Sequence, residues 1–298
     1  MSDTTTTAAV LSDELVASYH EDGYLLLDSF VDREWLDRLR AAAARWVDES
    51  RSLTRSDKRL DLEEGHSAQQ PRLRRLTAPV DHDETFREFA LAGPPAEIAA
   101  AILGRPARFH HSKLNYKWSD GGAEIDWHQD IQYWPHSDFT PLTIGVYLED
   151  VDAEMGPMGV LPGSHRGPVY DLFDEADRWT GSLRAEDMAA LPLDDIHFLA
   201  GPAGSVTVHN CVAVHGSVPN TSPRPRPLLL QTYSAATSYP LLGVGTNGRT
   251  GDWSGTLVGG GSPPRWIEVE GRRMPAAPDW SRGGYTTIFD AQQRTSTT

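Results

Sequence analysis

The hydrophobic period of the chain changes once, near Arg108, and that change limits the folds open to it. Before it, apolar residues recur at helical spacing. After it, as far as about Ala235, short β-rich runs are separated by Gly, Pro or Asn. Helices first and strands afterwards predict an α+β protein, with helices packed outside a sheet-built core. Ser12 caps a predicted helix over Leu11 to Tyr19, and Gly23 breaks it before the strand-like run Tyr24 to Leu27. Asp32 caps a second helix with Trp35, Leu36, Leu39, Ala43 and Trp46 on one face, which reads both tryptophans as core. Asp83 to Leu103 gives two short helices split by Pro94 and Pro95, the second closed by Gly104. Ser52 to Ala78 is polar and without a period, and is expected to form a mobile loop near the functional site.

Inside the β-rich region, Asp126-Trp127-His128-Gln129-Asp130 sets an imidazole and a carboxylate two residues apart. On a strand, such residues share a face. Val214-His215-Gly216-Ser217 follows some 85 residues after Asp130 and offers a second imidazole. Two histidines and one carboxylate leave open positions on a metal, which is the donor set of non-haem Fe(II) oxygenases. The pattern H-x-D is weak alone in a chain with 11 histidines. It is strengthened by the segment from His215 to Arg226, which follows the β-branched run Ser205 to Val208 and supplies a third ligand with a cation nearby. His209 lies six residues before His215 on the same expected strand, so it points to the same face, either as a core histidine or as a substrate contact. His110, His111, His136 and His197 are read as structural or surface residues.

His128-Gln-Asp130, the later Leu161-Pro-Gly-Ser-His165, and His215 with Arg226 eleven residues on resemble the phytanoyl-CoA dioxygenase family. Members are Fe(II)/2-oxoglutarate oxygenases on a double-stranded β-helix. The resemblance runs from roughly Leu15 to Tyr233 and is most specific over 111–233. It implies a jelly-roll, cupin-like core with the N-terminal helices outside it, and a structural role for His165. It implies Fe(II) held by His128, Asp130 and His215, with 2-oxoglutarate and O2 as co-substrates. Arg226 then pairs with the distal 2-oxoglutarate carboxylate, a group that is costly to bury alone; Arg224, two residues earlier, stays open as the alternative. Ser217 and Asn115 match positions that hold the co-substrate in relatives, and Lys113, on the same face as Asn115, is expected to bind the co-substrate with them. Asp126, Gln129, Ile131, Trp134 and Leu230, with His209, would line the substrate pocket.

Those pocket residues differ from the aromatic and hydroxyl groups of the ectoine-hydroxylase branch, which argues against ectoine. Gln129 to Pro135 is more similar to the phytanoyl-CoA branch, yet an acyl-CoA wants a basic phosphate-binding surface. A small polar metabolite or biosynthetic intermediate is therefore the expected substrate, hydroxylated at a C–H bond with release of succinate and CO2. Desaturation or ring formation by the same oxidant depends on substrate pose. A non-catalytic jelly-roll binding module has no use for Arg226 beside an open metal site. A zinc hydrolase needs a general base that no particular Glu or Asp announces.

The chain is expected to form one domain from 11 to 298, behind a disordered Thr-rich segment 1–10. The core spans about 105–238, interrupted over about 170–200 by helix (Asp174 to Trp179, then from Ala185) and loop. From 239 to 298 the chain is rich in Gly and Pro and carries Trp253, Trp266 and Trp280, reading as an irregular wrap. A net charge of −15 disfavours nucleic acid and anionic membranes. Arg72, Arg74 and Arg75 form the one tight basic cluster, read as a charged loop with a local anion site left open. No apolar run reaches the ~20 residues that span a bilayer, and Met1 to Thr7 has no basic or apolar signal region. A single cysteine, Cys211, fits a reducing cytoplasm. The partner expected is a small molecule, met by a monomer or homodimer.

Overall fold

Ser12 accepts a hydrogen bond from the Leu15 N–H and starts α1 (Asp13–Asp22); Gly23, at φ 80°, ends it and turns the chain into β1 (Tyr24–Leu27). Asp32 accepts from the Trp35 N–H at 2.8 Å and starts α2 (Arg33–Ser50). Next come β2 (Leu60–Leu62), β3 (Leu73–Thr77), α3 (Pro79–His82), α4 (Glu84–Ala92) and α5 (Pro94–Leu103). The β-rich half follows as β4 (Ala107–Lys117), β5 (Ile125–His128), β6 (Leu142–Tyr147) and β7 (Met158–Val160). Then come α6 (Ala185–Ala189), β8 (His197–Leu199), β9 (Val206–Asn210), β10 (His215–Ser217) and β11 (Arg226–Ala235). Short strands β12 (Leu257–Val258), β13 (Trp266–Val269) and β14 (Arg272–Pro275) complete it. This computed structural model describes residues 10–104, 106–118, 124–241, 251–262, 264–269 and 271–275.

Two antiparallel sheets make the double-stranded β-helix. The larger has eight strands in the order β1-β9-β6-β11-β4-β3-β2, with β12 beside β4; the smaller runs β5-β10-β7-β8. The strand period of two sorts side chains between two interiors. On β11, Leu229 and Tyr233 point outward into the core shared with the helices, where they meet Leu39, Phe86, Phe89 and Ile98. Arg226, Leu228 and Leu230 point the other way, into the space between the sheets. β6 and β9 repeat the pattern, with Ile144 and Val208 in the helix-covered core and Thr143 and His209 inside. Each fully buried Leu or Phe contributes about 1.5–3 kcal/mol, so the helices hold the large sheet rigid behind the site.

Three expectations need correction. Ser52 to Ala78 contains the antiparallel pair β2 and β3, and β3 extends the large sheet beside β4. Leu60, Leu73 and Leu76 are fully buried there, but the arginines and acids between them hide the strand period. Asp174 to Trp179 forms a turn, not a helix: the Asp174 carboxylate accepts from the N–H groups of Ala176 and Arg178, and Phe173 bridges to Trp179. The interruption also yields a sheet strand, β8, paired with β7. The tail is partly regular, since β12 pairs with β4 and β13 pairs with β14. Residues 1–9, 242–250 and 276–298, including Trp280, lie outside the described residues. No described helix is long and apolar enough to cross a membrane.

Candidate active site

His128 is the last residue of β5, and His215, the first of β10, is its partner in register. Hydrogen-bonded neighbours in a sheet bring their side chains together, and the two rings lie 4.3 Å apart, centroid to centroid. Asp130 is not on the strand. It opens a 3-10 turn (Asp130–Gln132) after an extended Gln129, and this turn carries its carboxylate to the imidazoles. Asp130 Oδ1 stands 3.7 Å from His128 Nε2 and 3.9 Å from His215 Nε2. The donor atoms of His128, Asp130 and His215 all lie within 4.8 Å of one another, and all three residues are buried.

The surroundings set the protonation of this group. His128 Nδ1 lies 2.7 Å from the Asp126 carbonyl and His215 Nδ1 lies 2.9 Å from the Ala213 carbonyl. A carbonyl only accepts, so each Nδ1 carries the proton and each Nε2 lone pair is free for a metal. Burial lowers the pKa of both imidazoles and keeps them neutral. Burial pushes Asp130 the other way, but the hydrogen bond from His209, the adjoining His215 imidazole and the Lys113 charge outweigh it and hold the carboxyl well below its usual range. Two neutral imidazoles and one carboxylate suit a divalent cation with open coordination positions.

His209 Nε2 donates to Asp130 Oδ2 at 3.3 Å, and the Thr143 hydroxyl donates to the same oxygen at 3.3 Å. His209 and His215 sit on different strands in different sheets, β9 and β10, because the turn through Cys211 to Val214 separates them. They nevertheless meet across the barrel with ring centroids 4.3 Å apart. His165 is structural: its Nε2 lies 3.2 Å from the His20 carbonyl, while the neighbouring Ser164 hydroxyl accepts from the Val214 N–H.

The triad opens into a cavity of about 520 Å³ whose walls include Asn115, Lys113, Ser217 and Arg226. Arg226 is 5% exposed, donates through Nη1 to the Gly156 carbonyl, and has no partner for its buried Nε. Gly156 takes φ 62° here, and a Cβ would lie 2.3 Å from the Val218 carbonyl oxygen, so this cradle needs glycine. No described carboxylate pairs with Arg226, and burial lowers its pKa. Arg224 instead points outward and pairs with Asp152 at 2.7 Å. A carboxylate reaching in from the metal side would satisfy the orphaned Nε, which fits 2-oxoglutarate. Lys117, a residue sequence reasoning missed, donates to the Ser217 hydroxyl at 2.6 Å and the Val218 carbonyl at 2.6 Å, holding Ser217 beside Arg226.

Of the expected pocket residues, Trp134, His209 and Leu230 line the cavity. Asp126, Gln129 and Ile131 do not. Asp126 is exposed, offering only its backbone carbonyl to His128. Gln129 alternates away from the triad, donating to the Val212 and Pro168 carbonyls and accepting from the Tyr170 N–H. Ile131 packs with Trp134, Cys211 and Val212 beneath the turn. Arg75, His111, Tyr133 and Thr143 also line the cavity. His111 was reachable from the sequence, since it continues the alternation of Asn115 and Lys113 on β4.

The chain is similar to several known proteins. A probable alpha-ketoglutarate-dependent hypophosphite dioxygenase of Stutzerimonas stutzeri is 31% identical over 255 residues, covering 84% of this chain and 88% of that protein. L-proline trans-4-hydroxylase of Streptomyces griseoviridis is 32% identical over 197 residues, covering 60% of this chain and 72% of that one. The crystal structure of EctD from S. alaskensis with bound Fe superposes with a TM-score of 0.65 at 25% identity, covering 79% of this chain and 80% of that one. The model of the phytanoyl-CoA dioxygenase (PhyH) family matches residues 19–228, a span that takes in the triad. The chain belongs to that family of iron- and 2-oxoglutarate-dependent oxygenases.

Proposed function

We propose that the chain hydroxylates a C–H bond of a small polar metabolite or biosynthetic intermediate. His128, Asp130 and His215 would hold Fe(II); Arg226, Ser217 and Asn115 would hold 2-oxoglutarate. When bound, iron and 2-oxoglutarate would supply the oxidising power for O2 to hydroxylate the substrate, with succinate and CO2 as co-products. The protein's own residues prepare the site. His209 and Thr143 orient the Asp130 carboxylate, and the Asp126 and Ala213 carbonyls fix the tautomer of each histidine. Arg226 fixes the far end of the co-substrate, so its keto-acid end meets the metal in one pose.

The observation that carries this reading is Arg226: a buried guanidinium with no described acid partner, opening on the cavity of an unshared three-donor set. The cavity of about 520 Å³ supports a compact substrate. So do hypophosphite and L-proline, the small molecules named for two relatives. A net charge of −15 supports a small-molecule partner over nucleic acid. The single, buried, free Cys211 supports a cytoplasmic setting, and nothing in the site requires more than a monomer or homodimer.

The test is anaerobic addition of 2-oxoglutarate to the Fe(II) protein, followed by succinate release across a panel of small metabolites. A weak visible charge-transfer band, dependent on both Fe(II) and 2-oxoglutarate, is expected. Equal activity with Zn(II) and no requirement for 2-oxoglutarate would sink the reading.

A further inference from the structure

The tight basic cluster of the sequence is divided by the geometry of β3. Arg74 turns outward to Glu63 at 2.8 Å and Asp61 at 3.7 Å. Arg72 lies over the Trp118 ring at 5.5 Å. Arg75, although exposed, lines the cavity, where its Nε donates to the Asn115 side-chain oxygen at 3.0 Å and no described carboxylate meets it. Lys113 stands on the neighbouring strand. Arg75 pairs in register with Asn115 and Thr77 with Lys113, so the two cations are diagonal neighbours on one sheet face, roughly 7–8 Å apart. Lys113 lines the cavity and makes no hydrogen bond or ion pair with any described residue. Burial lowers its pKa, Asp130 raises it, and Arg75 lowers it again.

Several arginines of this acidic chain are neutralised. Arg38, Arg40, Arg45, Arg178, Arg184 and Arg224 each hold a carboxylate. The cavity differs, since Arg75, Lys113 and Arg226 face it while Asp130, a member of the metal set, is its one described acid. 2-Oxoglutarate brings two carboxylates, one for the metal and one for Arg226. Lys113 pairs in register with Leu230, four residues along β11 from Arg226. At ~3.3 Å per residue their backbone positions lie roughly 13 Å apart along the wall. With both co-substrate carboxylates placed, Arg75 and Lys113 leave two positive charges on the cavity wall against the one described acid, Asp130, which the metal set uses.

We infer that Arg75 and Lys113 form an oxyanion subsite for the substrate, which is therefore a small molecule bearing a carboxylate or a phosphorus oxyanion. Its anionic group lies between the two cations and directs the reacting bond toward His128, Asp130 and His215. Asn115, bonded to Arg75, holds the guanidinium in place on the side nearer the co-substrate. The inference rests on the function proposed above.

The experiment is an anaerobic calorimetric titration of the enzyme loaded with Fe(II) and saturating 2-oxoglutarate. Acetate, methylphosphonate and hypophosphite are the probes, and acetamide is the uncharged control. At least one anion binds the loaded wild type and acetamide does not. K113M and R75Q each weaken that anion at least tenfold, with 2-oxoglutarate affinity retained and thermal melts unchanged. The inference is overturned if none of the three anions binds, if acetamide binds as well as acetate, or if both variants bind like the wild type. It is also overturned if K113M loses 2-oxoglutarate as R226M does, because Lys113 then serves the co-substrate. A wild type that takes up neither Fe(II) nor 2-oxoglutarate fails earlier, before any probe is added, and removes the functional reading together with this one.

Discussion

Replacing Arg226 by Met should move two measurable quantities in different directions. In the protein without co-substrate, Arg226 is 5% exposed, its Nε has no partner, and its one hydrogen bond goes to the Gly156 carbonyl. A buried charge without a counter-ion is a standing cost, while one hydrogen bond returns about 1–3 kcal/mol. Methionine keeps most of the volume and removes the charge, so the stability of the empty protein should stay level or rise. Binding of 2-oxoglutarate should fall sharply. Loss of one partner from a buried charge pair costs about 2–5 kcal/mol, and 1.4 kcal/mol is tenfold; affinity should fall roughly 30-fold to several-thousand-fold. Calorimetric titration of 2-oxoglutarate into the Fe(II) protein reads the affinity, and a urea melt of the metal-free protein reads the stability. Arg224→Met is the control, because Arg224 sits outside on Asp152 and should leave the affinity unchanged. Unaltered affinity in Arg226→Met, with a large loss in Arg224→Met, would refute the assignment.

Three further outcomes follow from the same geometry. His209→Ala removes the donor to Asp130 Oδ2 and should weaken Fe(II) binding or turnover roughly 10–100-fold; a chelator competition matching the wild type, with turnover intact, would make His209 a packing residue. Asp130→Ala should abolish coupled turnover, since it leaves two neutral imidazoles to hold a dication; chlorinated product from the unaltered enzyme, supplied with chloride, would contradict the role given to Asp130. Lys117 supplies a pH dependence: burial first, and the Arg226 charge next, lower its pKa from 10.5 to about 7. Between those values the unfolded chain binds the proton and the folded chain does not, so this residue makes stability rise with pH across that window, by at most about 1 kcal/mol per unit after solvent screening. Lys117→Met should flatten that rise in urea melts at pH 7 and pH 9, and an unchanged slope would place the titration elsewhere.

The candidate metal set could be picked out because two of its residues lie two apart and the third precedes a recognisable arginine segment. Strand parity was a poorer guide than it looked. Arg224 and Arg226 share parity, yet only Arg226 is on β11; Arg224 belongs to a loop in which the Asn220 amide holds the Arg224 carbonyl. Parity likewise joined His209 to His215, although a turn sends them to opposite sheets. Asp130 reaches its position through a 3-10 turn, so the same-face prediction succeeded for a reason other than the one given. β3 escaped notice because its cavity-lining arginine lies among outward ones, and the leucines at 73 and 76 break alternation. Helix ends were the easiest to read, since Ser12, Gly23 and Asp32 act through contacts within a few residues.

Gln129 has a bearing on how this scaffold diversifies. Its side chain is fully buried and clamps the chain at Pro168 and Tyr170, while the Leu183 N–H donates to the Trp127 carbonyl at 2.8 Å. Both roots of the excursion are thus fastened to residues adjoining His128, whereas Phe173 and Trp179 near its tip stand exposed. The tip is not independent of the site, because Trp179 packs edge-on against Tyr133 at 4.8 Å and Tyr133 meets the His128 ring at 5.5 Å. A graft that cuts inside the roots, at Pro168 or Leu183, would loosen the ligand strand itself. A change to the excursion that spares His128 must therefore keep three fastenings: the Gln129 clamp, the Leu183 hydrogen bond and the aromatic contact of Trp179 with Tyr133.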